Sequence, residues 1–296
     1  MKPSTLSLLL LVIAAQTPAA EKSILAPGAT LQKLADDFSF TEGPACDARG
    51  NVFFTDQPND RILEWSTAGK LSTFMHPCGR ANGLSFDPEG NLWACADETN
   101  QLWRIDPAGK VTVVVKDCQG KLLNGPNDVW IRPTGGLYFT DPYYKRDYWK
   151  RGPKELGEFV YYLAPDNTTL SRVIEDLKQP NGIIGTRDSK TLYVADIGAG
   201  KTYRYAIQKD GSLRDKTLFC SLGSDGMTID NEGNIYLTGK GVTVFDKSGA
   251  QIEHIDVAEP WTANVCFGGK DRNMLFITAS KSLYAMKMRV KGVDSQ

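Results

Sequence analysis

Six segments of the chain repeat one pattern, and this repetition constrains the fold more than any other feature of the sequence. The segments are EGPACDARGNVFFTD from Glu42, NGLSFDPEGNLWACAD from Asn82, NDVWIRPTGGLYFTD from Asn127, NGIIGTRDSKTLYVAD from Asn181, DGMTIDNEGNIYLTG from Asp225 and NVCFGGKDRNMLFITA from Asn264. Each opens on a polar residue, continues as a short apolar strand, turns through Asp, Gly and Asn, and returns as a strand of β-branched and aromatic residues. A third and a fourth strand follow in most units, as in Ile62 to Trp65 then Leu71 to Phe74. Four strands in a unit of roughly 40 to 45 residues is the signature of a propeller blade. The sixth unit runs out after Leu283 to Met288, so its outer strand has to come from elsewhere, and the segment around Thr30 to Leu34 is the predicted donor. The expected fold is therefore all-β: a six-bladed β-propeller of four-stranded blades, its ring closed by an N-terminal strand in the last blade, with no sheet edge left open.

In a propeller the first strand of each blade is innermost, so the residues that open the six segments stand at one mouth of the central channel. They are Glu42, Asn82, Asn127, Asn181, Asp225 and Asn264, and every one carries a side-chain oxygen. Asn-Gly and Asp-Gly are common turn dipeptides, which accounts for any one of these positions. It does not account for the agreement of all six, nor for Glu42, a poor turn former. Two carboxylates among inward-facing polar groups would repel each other in a dry channel, and a cation removes that cost. An all-oxygen set with two negative charges suits a hard cation, calcium before magnesium, with zinc or manganese as other divalent occupants. The chain has only His76 and His254, so HExxH is absent and a Ser-His-Asp triad has few candidates. His76 stands six residues before Asn82, and the sequence leaves it either an exposed structural residue or a pocket residue.

Net charge is near zero, with 34 basic against 35 acidic residues, and no like-charged block points to nucleic acid or an anionic membrane surface. Lys2, the apolar stretch from Leu6 to Ala15 and the small residues Ala19 and Ala20 read as a signal peptide, residues 1–20, which leaves 21–296 as a single propeller domain exported to the periplasm or outside the cell. The apolar stretch is too short to cross about 30 Å of hydrocarbon, and no later segment is apolar enough for membrane insertion. The expected partner is a small molecule, and the expected state is a monomer. Six cysteines in an exported chain permit disulfides, of which Cys78 with Cys118 is the suggested pair, with buried thiols as the alternative.

Strand alternation returns the second strand of each blade to the ligand face, so the loop after Asp141 lies on that face. It is the longest such connection, from Pro142 to about Gly157, and holds Tyr143, Tyr144, Tyr148 and Trp149 among Lys145, Arg146, Lys150, Arg151 and Lys154. It is either a pocket wall, with Tyr143 as a substrate contact, or packing over neighbouring blades. Its basic excess would suit an acidic substrate or product.

The strings FTEGPACDARGNVFFTD, GPNDVWIRPTGGLYFTDPYY, QPNGI and SDGMTIDNEGNIYLT resemble the gluconolactonase family, which includes regucalcin (senescence marker protein) and luciferin-regenerating enzyme. The resemblance runs over nearly the whole chain beyond the leader. It implies a divalent-metal-dependent, calcium-type hydrolase of sugar lactones whose ion is held by Glu42, Asn127, Asn181 and Asp225, with Asn82 and Asn264 supporting the ion or contacting substrate. Regucalcin-like animal members carry an arginine where this chain has Gly125, so their sugar recognition does not transfer. The Asn-Gly-Pro-Asn-Asp stretch looks more like bacterial gluconolactonase-type members, with Asn124 as a substrate contact. In the expected lactonase scheme Asp225 activates water and Glu42 is mainly a ligand, the reverse assignment being open. A phosphotriesterase or esterase on the same metal, or a non-enzymatic calcium-stabilised binding propeller, are the alternatives.

Overall fold

The computed structural model describes residues 23–293; the expected signal peptide lies outside them. Six four-stranded antiparallel sheets are arranged as blades around a channel. The first blade runs outward through Thr41–Cys46, Val52–Asp56, Arg61–Trp65 and Leu71–Met75. The sixth runs through Thr262–Gly268, Met274–Ala279 and Ser282–Lys287, and its outer strand is Gln32–Ala35 from the N-terminal side. Gln32 pairs with Ala285 and Lys33 with Tyr284, so the ring closes as the incomplete sixth repeat predicts. No helix among the described residues is long and apolar enough to cross a membrane.

The turn chemistry explains why each repeat folds as a hairpin. Asp47 Oδ1 accepts the backbone N–H of Arg49 and Asn51 at 2.9 and 2.8 Å, and Gly50 takes the left-handed conformation at φ 92°. Asp87 with Asn91 and Asp230 with Asn234 repeat this in blades two and five. The aspartate replaces a backbone turn acceptor, so in these three blades the turn that sets the strand pairing is specified within a few residues.

Between blades the strands bury apolar side chains on both faces. Trp130, Tyr138 and Val160 of blade three meet Ile183, Leu192 and Val194 of blade four. Val52, Phe54 and Leu63 of blade one meet Cys266, Phe276 and Leu283 of blade six across the closing joint. Each buried Leu, Ile or Phe side chain contributes roughly 1.5–3 kcal/mol. No disulfide links the six cysteines. The suggested Cys78–Cys118 bridge is corrected: Cys78 packs between blades one and two and Cys118 between blades two and three, so a whole sheet separates them. Burial pushes the Cys78 thiol up to about 12 and raises Cys95 and Cys266 as well, which makes these thiols packing groups.

Candidate functional site

The inner strands carry Glu42, Asn82 and Asn181, while Asn127 and Asp225 stand just before the inner strands of blades three and five. Blades one, two, four and six each have a register shift at this level, between Glu42 and Ala45, Ala81 and Leu84, Pro180 and Ile183, and Thr262 and Asn264. The extra residue locally bends the strand, which re-aims the side chains at the channel mouth.

Asn264 does not occupy the position in its blade that the repeat alignment gave it. The Gly83 N–H donates to Asn127 O at 2.7 Å, and the Gly226 N–H donates in the same way to Ala263 O at 2.8 Å. Thr55 Oγ1 donates to Asn82 O and Thr238 Oγ1 to Ala263 O. Ala263 is therefore the blade-six counterpart of Asn82 and Asn127, and Asn264 is one residue further in. A one-residue slip turns a strand side chain to another direction. Asn264 accordingly points into the channel interior, where a Cβ on Gly226 would come within 1.9 Å of its Cγ. Its amide stabilises the anions of both Glu42 and Asp128, and it lines a separate cavity of about 120 Å³ with Asp128, Trp130 and Met227. The mouth thus presents five oxygen-bearing residues.

Glu42, Asn82, Asn127 and Asp225 line one cavity of about 310 Å³. Asn181 is joined to it by hydrogen bonds, its Nδ2 donating to Asp225 Oδ1 at 2.8 Å and to the Tyr144 hydroxyl at 2.9 Å. Trp261 Nε1 donates to the other Asp225 oxygen at 2.6 Å. Burial, reinforced by the Asp225 charge, raises Glu42 well above the usual carboxylate range. Burial also lifts Asp225 to about 6, against the pull of Trp261, Asn181 and Arg146. Two carboxylates thus share a desolvated mouth and disfavour each other's ionisation.

The donor set fits a hard divalent cation. Among the described residues no three His, Cys, Asp or Glu side chains are placed to hold a metal ion between them, so an ion at this mouth would take amide as well as carboxylate oxygens, as calcium does. Asn181 Oδ1 is buried and has no hydrogen-bond partner, an unmet acceptor beside two mutually repelling carboxylates. Glu42, Asn127, Asn181 and Asp225 could hold the ion, with Asn82 beside them.

The loop 142–158 forms one wall of the cavity, through Tyr144 and Arg146. Tyr143, expected as the substrate contact, is not among the lining residues: its ring packs 5.6 Å from Trp149 and beneath Lys154. Asn124 is likewise corrected. It is fully buried, and its Nδ2 donates to Asp141 O and Gly157 O, which ties the two ends of the loop together. His76 is exposed, its Nδ1 3.0 Å from Asp60 O, away from the cavity.

Gln57, Phe40, Gln179, Ile197 and Trp261 complete the wall, and sequence reading missed all of them. A positional signal existed for two: Phe40 and Gln179 each stand two residues before an axial residue, Glu42 and Asn181, at the entry to the inner strand. Trp261 stands in the same relation to Ala263, which only the blade-six register reveals. Asp97 was also missed. It is buried behind the wall, where Gln57 Nε2, Arg146 Nε and the Tyr148 hydroxyl all donate to its Oδ2 and Trp149 Nε1 donates to its carbonyl at 2.8 Å. Gly125 is fixed by the same cluster: at φ 150°, a Cβ there would meet Asp97 Oδ1 at 2.5 Å and Trp149 at 2.9 Å.

Fold and site define a class, a six-bladed propeller with an acidic, oxygen-lined mouth. Residues 40–281 match the family described as the SMP-30/Gluconolactonase/LRE-like region, and the chain belongs to that family. It is 28% identical over 303 aligned residues to a gluconolactonase of Zymomonas mobilis, covering 91% of this chain and 84% of that one. It is 33% identical to the lactonase drp35 of Staphylococcus aureus, covering 72% of this chain and 68% of that protein. A gluconolactonase structure from Xanthomonas campestris superposes with a TM-score of 0.85 at 29% identity, covering 92% of this chain and 93% of that one. A calcium-binding regucalcin from Agrobacterium tumefaciens shares the fold, with a TM-score of 0.75 at 21% identity over 88% and 94% of the two chains.

Proposed function

We propose that this protein is a lactone hydrolase, acting on sugar lactones and dependent on a divalent cation of the calcium type held by Glu42, Asn127, Asn181 and Asp225. The observation that carries the reading is Asp225: a carboxylate raised to about 6, facing a cavity of polar side chains and held by two donors. The lactonase names of the similar bacterial proteins support the reaction class. When bound, the cation supplies Lewis acidity towards a carbonyl oxygen.

The chain's own groups supply the rest. Asp225 accepts the proton of the attacking water, through a carboxylate held in the cavity wall by one donor on each oxygen. Trp261 and Asn181 fix the orientation of that carboxylate. Glu42, shielded at 3% exposure, is mainly a ligand. Asn82, Gln57 and Gln179 offer donors and acceptors to ring hydroxyls, while Phe40, Ile197 and the Trp261 ring add apolar surface to the same cavity. An open cavity of about 310 Å³ supports an enzyme over a calcium-plugged binding propeller.

The test is a pH-stat assay of gluconolactone hydrolysis, run after chelation and again after calcium is restored. Activity that chelation removes and calcium returns is expected; chelator-insensitive hydrolysis contradicts the cation role, and no hydrolysis contradicts the reaction class. Export and a monomeric state complete the proposal. Amino-terminal sequencing of the exported fraction tests the first, with a start at or near residue 20 expected, and sedimentation tests the second.

A further inference from the structure

We propose that Arg146 determines the specificity of this cavity by selecting lactones that carry a carboxylate substituent, and that Asp97 is the positioning residue that aims it. The proposal rests on the lactonase reading above and names its substrate class. The loop carries five basic residues with different fates. Lys154 pairs with Glu158 at 2.8 Å. Arg151 donates to the carbonyls of Leu123 and Asn124 and lies over Trp149. Lys145 and Lys150 are exposed. Arg146 alone lines the cavity.

Arg146 is held from two sides. Its Nε donates to Asp97 Oδ2 at 3.2 Å, and its guanidinium carbon sits 5.5 Å from the Tyr144 ring centroid. Its terminal nitrogens have no protein hydrogen-bond acceptor among the described residues, although the group is only 28% exposed. A part-buried guanidinium with a donor edge left over is built for a planar acceptor that arrives with the substrate. The charges point the same way. A divalent cation would offset Glu42 and Asp225, and the Asp97 carboxylate is already taken up by Arg146, Tyr148 and Gln57. An incoming carboxylate would therefore meet a guanidinium edge in the cavity wall, while Asp147, the one acidic neighbour of Arg146 in the loop, is exposed to solvent and does not line the cavity. Hydroxyls can also accept from Arg146, but a carboxylate adds a full opposite charge and matches the planar guanidinium edge with two parallel bonds.

The experiment compares lactones of the same ring size made from glucaric acid, which retains a free carboxylate, and from gluconic acid, which does not. Wild type, Arg146→Gln, Arg146→Lys and Asp97→Asn are assayed in buffered calcium, and binding of glucarate and gluconate is measured by calorimetry. Wild type is expected to favour the glucaric lactone. Arg146→Gln should raise KM for that lactone about tenfold more than for the gluconic one, with kcat affected less than KM. Arg146→Lys should recover part of the difference, and Asp97→Asn should show the same pattern more weakly. Equal losses on both lactones, or no change in KM, overturn the proposal. If wild type hydrolyses neither lactone, the lactonase reading falls, and calorimetry then decides: an Arg146-dependent preference for glucarate supports carboxylate recognition, and its absence overturns it.

Discussion

The connection between the second and third strands is short in five blades, down to one or two residues in blades five and six, and long only in blade three, and the contrast bears on what shapes the cavity. In blades one, two and four it is a single 3-10 turn, Gln57–Asn59, Asp97–Thr99 or Ile197–Ala199, ended by a left-handed residue at Asp60, Asn100 or Gly200. In blade three the same point of the fold opens into residues 142–158, with no helix or strand of their own before Phe159. The short turns contribute one wall residue each at Gln57 and Ile197, and from Asp97 an anchor behind the wall. The long loop contributes Tyr144 and Arg146 and is latched to that anchor across the blade boundary by Arg146, Tyr148 and Trp149. The repeated scaffold thus holds the ligand residues, while the broken repeat shapes what reaches them.

The comparison can be broken most severely at the scaffold. Asp225→Asn should lower kcat by a factor on the order of 10²–10⁴ while the circular dichroism spectrum stays that of a folded propeller; near-normal turnover would remove Asp225 from the role of base. Shortening the long loop to a turn like that of blade one should raise KM by about tenfold or more and alter substrate preference, with calcium affinity held within about threefold. Parallel loss of calcium affinity in calorimetry would show that loop and scaffold are not separable.

Protons sharpen the same division. Asp225 is raised to about 6 and Glu42 also stands above its ordinary value, so the ion-free folded state holds more protons than the unfolded chain as pH rises from about 4 to about 6. Stability from these groups is therefore lost as pH rises through that window, and calcium should restore it by replacing the protons. Thermal melts from pH 4 to 7 should show a calcium-induced rise in Tm that grows with pH. A rise that is flat or shrinks with pH would argue against competition at these carboxylates. The smallest effect is expected from Asn124→Ala, which removes two buried hydrogen bonds at the loop base: about 1–3 kcal/mol of stability in a denaturant titration, with turnover at saturating substrate retained. A loss of turnover without loss of stability would return Asn124 to the substrate.

The sequence made the blades legible because their information is local. The Asp, Gly and Asn turns set each hairpin within a few residues, and the truncated sixth repeat called for the strand that Gln32–Ala35 supplies. The five polar residues at the mouth were legible for the same reason. Asn264 was misplaced because Ala263-Asn264-Val265 permits two registers, and only contacts from blade five choose between them. Tyr144 could not be told from Tyr143 in a loop without strand or helix periodicity. Asp97 and Arg146, separated by 49 residues, meet across two blades, a juxtaposition that no spacing rule encodes. Phe40 and Gln179, by contrast, stand two residues before the axial Glu42 and Asn181 and were within reach of the sequence, whereas Trp261 was hidden by the misplaced register of Asn264.

If the five-residue mouth is a single divalent-cation site, the ion competes there with protons on Glu42 and Asp225. Calorimetric titration of calcium near pH 6, in two buffers of different ionisation enthalpy, measures stoichiometry and proton release together. One calcium per chain with net proton release is expected, both diminished in Glu42→Gln. Absence of binding, or binding of the same affinity and proton count in that variant, would contradict it.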